Sequence, residues 1–306
     1  MKLITTLCTL IFLGHLSLAQ NPQVYKSVRQ ALKHKETAEI LDLSDKHLRK
    51  LDPRIVELKN LKFLNISFNK ISELPPGFDQ LTELRHLVAE YNEFREIPEA
   101  IRNFKDLQVL YMATNQISKV PEWIYEFDQL TNLLLSENRL TELPEGLEKL
   151  QQLEILTLQE NELTKFPEGI TLISGLKEIY LHENQISVLP ENIGDLTRLT
   201  VLDLTDNDIS HIPLSLSNCT HLRELKFAEN PITQIPQGIF RLRNLDALTF
   251  DEDELISGDR RLFKQFARRY NLITHAGIHG GLGYCDSLNY FHNEKKGGKS
   301  SKSATL

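Results

Sequence analysis

The stretch that decides the fold is Leu130–Gln152, with the sequence LTNLLLSENRLTELPEGLEKLQQ. The same pattern returns directly before it, from Leu107 to Gln129, and directly after it, from Leu153 to Gly175, without insertion or deletion. A period this strict indicates a solenoid, in which each repeat packs only on its neighbours. The asparagine of this stretch, Asn138, has equivalents at Asn69, Asn92, Asn115, Asn161, Asn184, Asn207 and Asn230.

Each position of the repeat has a predictable task. Leu133 and Leu135 are two positions apart, so both point to the same side of a short strand, and Leu140 follows the asparagine by two. Burial of such side chains contributes roughly 1.5–3 kcal/mol each, so these columns dominate stability. The asparagine amide offers a donor and an acceptor, which predicts a ladder that satisfies backbone groups where the chain leaves the strand. Pro144 fits the first position of a short helical turn on the opposite side.

The pattern Leu-x-x-Leu-x-Leu-x-x-Asn-x-Leu-x-x-Leu-Pro-x-x-Ile/Leu, as in residues 153–170 and 176–193, resembles the leucine-rich repeat. It is similar to the 23-residue Leu-Pro type found in Shoc2-like and Ras-suppressor-like proteins and in bacteria. The resemblance covers about residues 38–258, in ten units. It implies an α/β solenoid shaped like a horseshoe, with a concave parallel sheet, short helical turns on the convex side, and protein partners. The export signal described below departs from the cytosolic members of this group.

The ends of the chain differ from the repeats. Residues 1–19 have a positive Lys2, an apolar run and the small residues Ser17 and Ala19, which predicts a signal peptide cleaved near Ala19 and an extracytoplasmic location. Residues 20–37 are expected to form a helical cap, with one amphipathic helix over Gln23 to Lys35, and residues 259–272 a C-terminal cap helix. Residues 273–306 are predicted to be an irregular tail, disordered from about residue 294. No transmembrane segment is expected downstream of the signal.

Composition excludes several classes of function. The net charge of −7 comes without a basic stripe, which argues against nucleic acid as a partner. No phosphate-binding glycine loop, nucleophile elbow or paired histidine–glutamate motif is present, so the sequence predicts no enzyme, no cofactor and no metal. A binding module acting through the exposed strand positions is the favoured function. Oligomeric state is left open.

Two surfaces of the predicted sheet are candidate binding sites. The N-terminal half carries apolar and aromatic residues at outward positions, which we expect to be exposed and to bind a partner; packing among themselves is the alternative. The column just before the asparagine carries six consecutive carboxylates from Glu137 to Glu252, which predicts docking of a protein or peptide with a basic segment, or of a cation, against the alternative of a solvated polar face. The predicted partner-binding residues are Phe63, Phe68, Val88, Tyr91, Val109, Tyr111, Leu134, Glu137, Glu160, Glu183, Asp206 and Glu229.

Two further interpretations stay open at this stage. Cys219 lies in a core column and Cys285 in the tail, so whether they form a disulfide is undecided. His275, His279, Cys285 and His292 are metal-capable residues and support the alternative of a metal-dependent enzyme. An intracellular signalling scaffold is the other alternative, and it would require an uncleaved N-terminus.

Overall fold

The computed structural model describes residues 23–274, which form one array of stacked repeats. Its centre is a parallel sheet of eleven strands in sequence order, each hydrogen-bonded to the next. The strands are β1 (Val24–Tyr25), β2 (Ile40–Asp42), β3 (Phe63–Asn65), β4 (His86–Val88), β5 (Val109–Tyr111), β6 (Asn132–Leu134), β7 (Ile155–Thr157), β8 (Glu178–Tyr180), β9 (Val201–Asp203), β10 (Glu224–Lys226) and β11 (Ala247–Thr249). From β2 onward, partners in neighbouring strands are one full repeat apart, as with Leu110 and Leu133.

The chain returns from each strand through a short 3₁₀ helix on the other side of the core. Their bounds are Pro53–Glu57, Phe78–Gln80, Glu99–Ile101, Glu122–Glu126, Leu147–Lys149, Glu168–Leu172, Ile193–Asp195, Leu214–Asn218 and Gln237–Arg241. The repeat proline precedes these turns instead of starting them, as Pro121 does with φ −75° and ψ 148°. This corrects its expected place at the first helical position, because the chain is still extended where it crosses from the strand side.

The interior confirms the solenoid predicted from the repeat. Leu133, Leu135 and Leu140 are fully buried, as are their counterparts in almost every unit. The asparagine ladder is also present: Asn138 Nδ2 donates to the carbonyls of Met112, Leu135 and Ser136 at 3.0–3.1 Å. Its Oδ1 accepts the Ile117 N–H at 2.9 Å. One amide therefore satisfies backbone groups of its own repeat and of the preceding one.

The N-terminal cap differs from the single helix expected over Gln23 to Lys35. Val24–Tyr25 form a strand that pairs with β2, and only Val28–Ala31 form an α-helix, α1, followed by the 3₁₀ turn Leu32–His34. The difference arises because a strand can pair with the backbone edge of β2, which a helix cannot do, and Val and Tyr favour strands. Lys26 Nζ lies 2.5 Å from Asp42 Oδ2 across this pairing.

The C-terminal end is covered by an α-helix and by a short return of the chain. The helix α2 spans Ser257–Tyr270 and ends at Asn271, which has φ 52°. Phe263 and Phe266 are buried against the last repeat, whereas Leu262 is 36% exposed. Beyond the helix, the Ile273 carbonyl accepts the Leu248 N–H at 2.9 Å, so the chain folds back along β11.

At the C-terminal end of the array, a side chain replaces the backbone carbonyls that accept hydrogen bonds from the strand exits. In the preceding repeats the two N–H groups of the strand exit donate to carbonyls of the next repeat, as Glu183 does to Thr205 and Asn184 to Asp206. In the last repeat Asp251 Oδ2 accepts both equivalent N–H groups, from Glu229 at 2.6 Å and Asn230 at 3.3 Å. A carboxylate thus ends the array where the backbone leaves the repeat path.

Candidate functional site

The residue before each asparagine lies at the exit of its strand in an unusual backbone conformation. In these eight repeats, and at Asp45, which precedes Lys46 in the first unit, this residue is not glycine, yet its φ lies between 50° and 57°. A left-handed backbone costs an ordinary L-residue roughly 1–2 kcal/mol, so the ladder must hold each of these turns in place. The residues are Asp45, Phe68, Tyr91, Thr114, Glu137, Glu160, Glu183, Asp206 and Glu229.

This conformation creates one row of side chains along the edge of the sheet, which we call the exit row. At its N-terminal end Phe68 and Tyr91 stack, with ring centroids 4.5 Å apart and planes at 13°. Tyr91 is 43% exposed, while Phe68 is half-buried. The aromatic start of the exit row is therefore accessible at Tyr91.

The apolar strand positions beside this stack are not exposed, which corrects the sequence prediction. Val88, Tyr111 and Leu134 are in-register neighbours on β4, β5 and β6, and their exposures are 4%, 8% and 2%. Phe63 is 1% exposed, with its ring 6.1 Å from that of His86, and Val109 is half-buried. In-register parallel strands place each such side chain against its equivalents in the adjacent repeats, and this contact covers them.

A buried acid lies among these apolar side chains, and sequence reasoning missed it. Glu90 is 2% exposed. Burial raises the pKa of Glu90 to about 7; its hydrogen bond with Tyr111 lowers the pKa, and the charge of Glu137 raises it further. Glu90 therefore titrates near neutral pH. The available signal was one acid in a column that otherwise holds small residues in this half, namely Ser44, Ser67, Ala113 and Ser136.

The C-terminal half of the exit row is acidic and open to solvent. Glu160, Glu183, Asp206 and Glu229 are exposed, and Glu137 is half-buried. Partial burial raises the pKa of Glu160, and the charges of Glu137 and Glu183 add to that rise. The structure thus brings the predicted carboxylates together as neighbours that repel one another.

Polar groups on the strands of this half form a network beside the exit row. Lys226 Nζ lies 2.8 Å from Glu224 Oε2 and 3.4 Å from Asp203 Oδ2. Burial lowers the pKa of Lys226, but these two carboxylates outweigh that effect and raise it. His182 Nδ1 lies 3.8 Å from the same Asp203 carboxylate. Three side chains around this network, Glu160, His182 and Glu183, are the ones that could hold a metal ion among the described residues.

The remaining candidates lie elsewhere or outside the described part of the chain. Cys219 is fully buried and unpaired among the residues described, and burial raises the pKa of its thiol to about 12. The other cysteine of that pair, Cys285, the histidines at 275, 279 and 292, and the signal segment 1–19 lie outside residues 23–274. Within residues 23–274, no helix has the length and apolar character needed to cross a membrane.

Comparison with known proteins identifies the family. The model of the leucine-rich repeat region matches residues 30–133, and a leucine-rich repeat model matches residues 128–186 and 151–209. No curated protein matches the sequence. The chain belongs to the leucine-rich repeat family.

Solved structures agree with this assignment. A leucine-rich repeat protein of Leptospira interrogans is 21% identical over 83% of this chain and 99% of that one, with a TM-score of 0.53. The ectodomain of the receptor kinase GASSHO1/SCHENGEN3 of Arabidopsis thaliana, in complex with CASPARIAN STRIP INTEGRITY FACTOR 2, is 26% identical over 69% of this chain, with a TM-score of 0.62. A TDR receptor is 27% identical over 76% of this chain, with a TM-score of 0.67. This chain spans 26% of the GASSHO1 chain and 42% of the TDR chain.

Proposed function

We propose that this protein is an exported, non-enzymatic binding module of the 23-residue Leu-Pro type, which captures a protein or peptide with a basic segment. One observation carries the proposal: the exit row presents exposed carboxylates in consecutive repeats along one edge of the sheet. Neighbouring strands are about 4.8 Å apart, so these charges form a continuous negative strip. A lysine- or arginine-rich segment laid along it would relieve the repulsion between the carboxylates.

The similar receptor ectodomain, solved in complex with its factor, supports a protein or peptide as the partner. Fold alone does not define a partner, so the charge of the strip has to supply the specificity. Because exposed charges are screened over about 8 Å at physiological ionic strength, binding of a basic segment should weaken as salt rises. Export rests on residues 1–19, where a positive Lys2, an apolar run and small residues near Ala19 follow the pattern of a signal peptide.

A matched pair of charge reversals tests the strip. Glu137→Lys with Glu183→Lys changes two positions of the exit row, and Glu145→Lys with Glu191→Lys changes two exposed glutamates on the opposite side of the same two repeats. Net charge is the same in both variants. With a fluorescent octalysine peptide and EDTA present, fluorescence anisotropy should show at least tenfold weaker binding for the first variant only. Equal weakening in both variants would show that binding depends on net charge and not on the exit row, and it would refute the proposal.

Tyr91 tests the aromatic end of the exit row, and the buried Tyr111 on β5 serves as its comparison. Tyr91→Ala should weaken capture of a basic peptide that also carries an aromatic residue, with little change in the thermal midpoint, because Tyr91 is exposed. Tyr111→Ala should instead lower stability, because Tyr111 is buried and bonds Glu90. An unchanged affinity in Tyr91→Ala would remove the aromatic end from the binding site.

A further inference from the structure

One part of the exit row has a composition that the other repeats do not share. Glu160 follows β7, and His182 and Glu183 follow β8; the Glu160 N–H donates to the His182 carbonyl at 2.9 Å. One ligand atom from each of the three side chains lies within 4.8 Å of the others. Among residues 23–274, only this cluster brings together three groups able to bind a metal ion. The neighbouring repeats have acids at the equivalent positions, but Gln159 and Thr205 in place of the histidine.

A buried amide beside the cluster lacks a partner. Gln159 precedes Glu160 and occupies, one strand earlier, the same repeat position as His182. Its side chain is 7% exposed, and its Oε1 has no hydrogen-bond partner among the described residues. An enclosed carbonyl oxygen without a donor is costly, and a cation bound beside it would satisfy it.

The histidine is also positioned as a metal ligand would be. Its Nδ1 is enclosed, makes no hydrogen bond and faces Asp203 Oδ2 at 3.8 Å. With its proton on Nδ1, facing that carboxylate, the imidazole would offer the Nε2 lone pair to a metal ion. Metal-binding histidines commonly have a carboxylate facing the other ring nitrogen in this way.

We propose that Glu160, His182 and Glu183 bind a divalent transition-metal ion, with Zn²⁺ as the best fit and the Gln159 amide oxygen as a fourth ligand. Imidazole and carboxylate together suit zinc, whereas calcium takes oxygen ligands alone. Tetrahedral ligands about 2.1 Å from zinc are about 3.4 Å apart. The three ligand atoms now lie within 4.8 Å of one another, so the two exposed glutamates would rotate toward the ion on binding.

The charges around the site favour a cation. Glu137 and Asp206 flank it in the exit row, and Asp203 lies behind His182, while Lys226 is the basic group of the adjoining network. Bound metal would join two neighbouring repeats through side chains and neutralise the charges that oppose each other there. The site shares Glu160 and Glu183 with the proposed strip, and His182 distinguishes it, because the metal site depends on the histidine and the strip does not.

Titration of the full exported chain with ZnCl₂ by calorimetry tests the site, since the tail histidines remain present throughout. Wild type should bind one zinc ion that His182→Ala loses, whereas His211→Ala, which removes an exposed histidine outside the cluster, should keep it. Zinc should raise the thermal midpoint of wild type and of His211→Ala only. CaCl₂ should give no comparable site.

The isosteric double variant Glu160→Gln with Glu183→Gln provides a second test in case His182→Ala does not fold. It should weaken zinc binding at least tenfold. Co²⁺ should give the intense visible d–d absorption of a tetrahedral site in wild type but not in either variant. Zinc binding that is unchanged in both variants, or equally lost in His211→Ala, would overturn the proposal. Octalysine binding in EDTA is a separate measurement, so either proposal can fail alone.

Discussion

The two halves of the sheet use the same interior and present different exteriors. From β3 to β6 the outer positions are Val88, Tyr111, Leu134 and the enclosed Glu90, and they are buried. From β7 to β10 the outer strand positions are buried or half-buried as well, but most of them are polar or charged, and exposed carboxylates follow at the strand exits. A repeat fold therefore separates stability from recognition: the columns that face inward are held constant, while the outward columns are free to vary. The comparison can be tested on both sides, starting with the interior.

The largest expected effect is loss of one ladder asparagine in either half. Asn92 Nδ2 donates to the Ile66, Ala89 and Glu90 carbonyls, and its Oδ1 accepts the Ile71 N–H. Asn207 makes the equivalent bonds with Leu181, Leu204, Thr205 and Ile186. Removing the amide leaves several buried backbone groups without partners. Asn92→Ala and Asn207→Ala should therefore each lower the free energy of unfolding by about 4 kcal/mol.

Urea unfolding measures the free-energy change, and hydrogen exchange locates it, since a repeat array can unfold in parts. The expected result is equal losses in the two halves. A difference of more than about 1.5 kcal/mol would show that the interior is not equivalent along the array, contrary to the matching bond lengths.

The next largest effect is the pH dependence of stability, which should distinguish the buried Glu90 from the exposed carboxylates of the C-terminal half. The pKa of Glu90 is about 7 in the folded chain against an ordinary value of 4.5. A raised carboxyl pKa favours folding at low pH, and that stability is lost as pH rises from about 4.5 to 7. Glu90→Gln has no such loss. The unfolding free energy of the variant minus that of wild type should therefore be about 3 kcal/mol larger at pH 8 than at pH 4.5.

Glu160→Gln is the matched control, because the pKa of Glu160 is shifted in the same direction but the side chain is exposed. Its advantage over wild type at pH 8 should be much smaller, since water screens the charge. Stability curves at a series of pH values decide the point. Parallel curves for wild type and Glu90→Gln would contradict the burial of an ionisable carboxyl in the N-terminal half.

The smallest effect concerns the exit row itself. Thr114 is β-branched and has φ 51°, a conformation that asparagine adopts more readily. Thr114→Asn should therefore stabilise the chain by about 0.5–1 kcal/mol. Asp206→Asn, at φ 52° in the other half, should change stability by only about 0.2 kcal/mol on this account, because aspartate already tolerates the turn. Equal gains at both positions would show that backbone strain is not the cause.

The sequence predicts the features that depend on a single repeat, and much less of what depends on neighbours. The period, the inward columns, the asparagine ladder and the row of carboxylates follow from spacing alone. The burial of Tyr111 and Leu134 does not, because it is produced by their equivalents in the adjacent repeats, and Tyr111 also hydrogen-bonds Glu90. Likewise, His182 is one residue in a varied column, and only the stacking of β7 on β8 places it against Glu160.

The terminal strand of the array has a consequence for how the protein behaves at high concentration. An uncovered strand edge is a template for a second chain, and a solenoid could add copies of itself end to end into a filament. Here Ile273 lies along β11, and its carbonyl accepts the Leu248 N–H, while the Asp251 carboxylate holds the N–H groups at the exit of β10. Loss of the Ile273 pairing should therefore favour end-to-end growth of the array, because it uncovers the edge of β11.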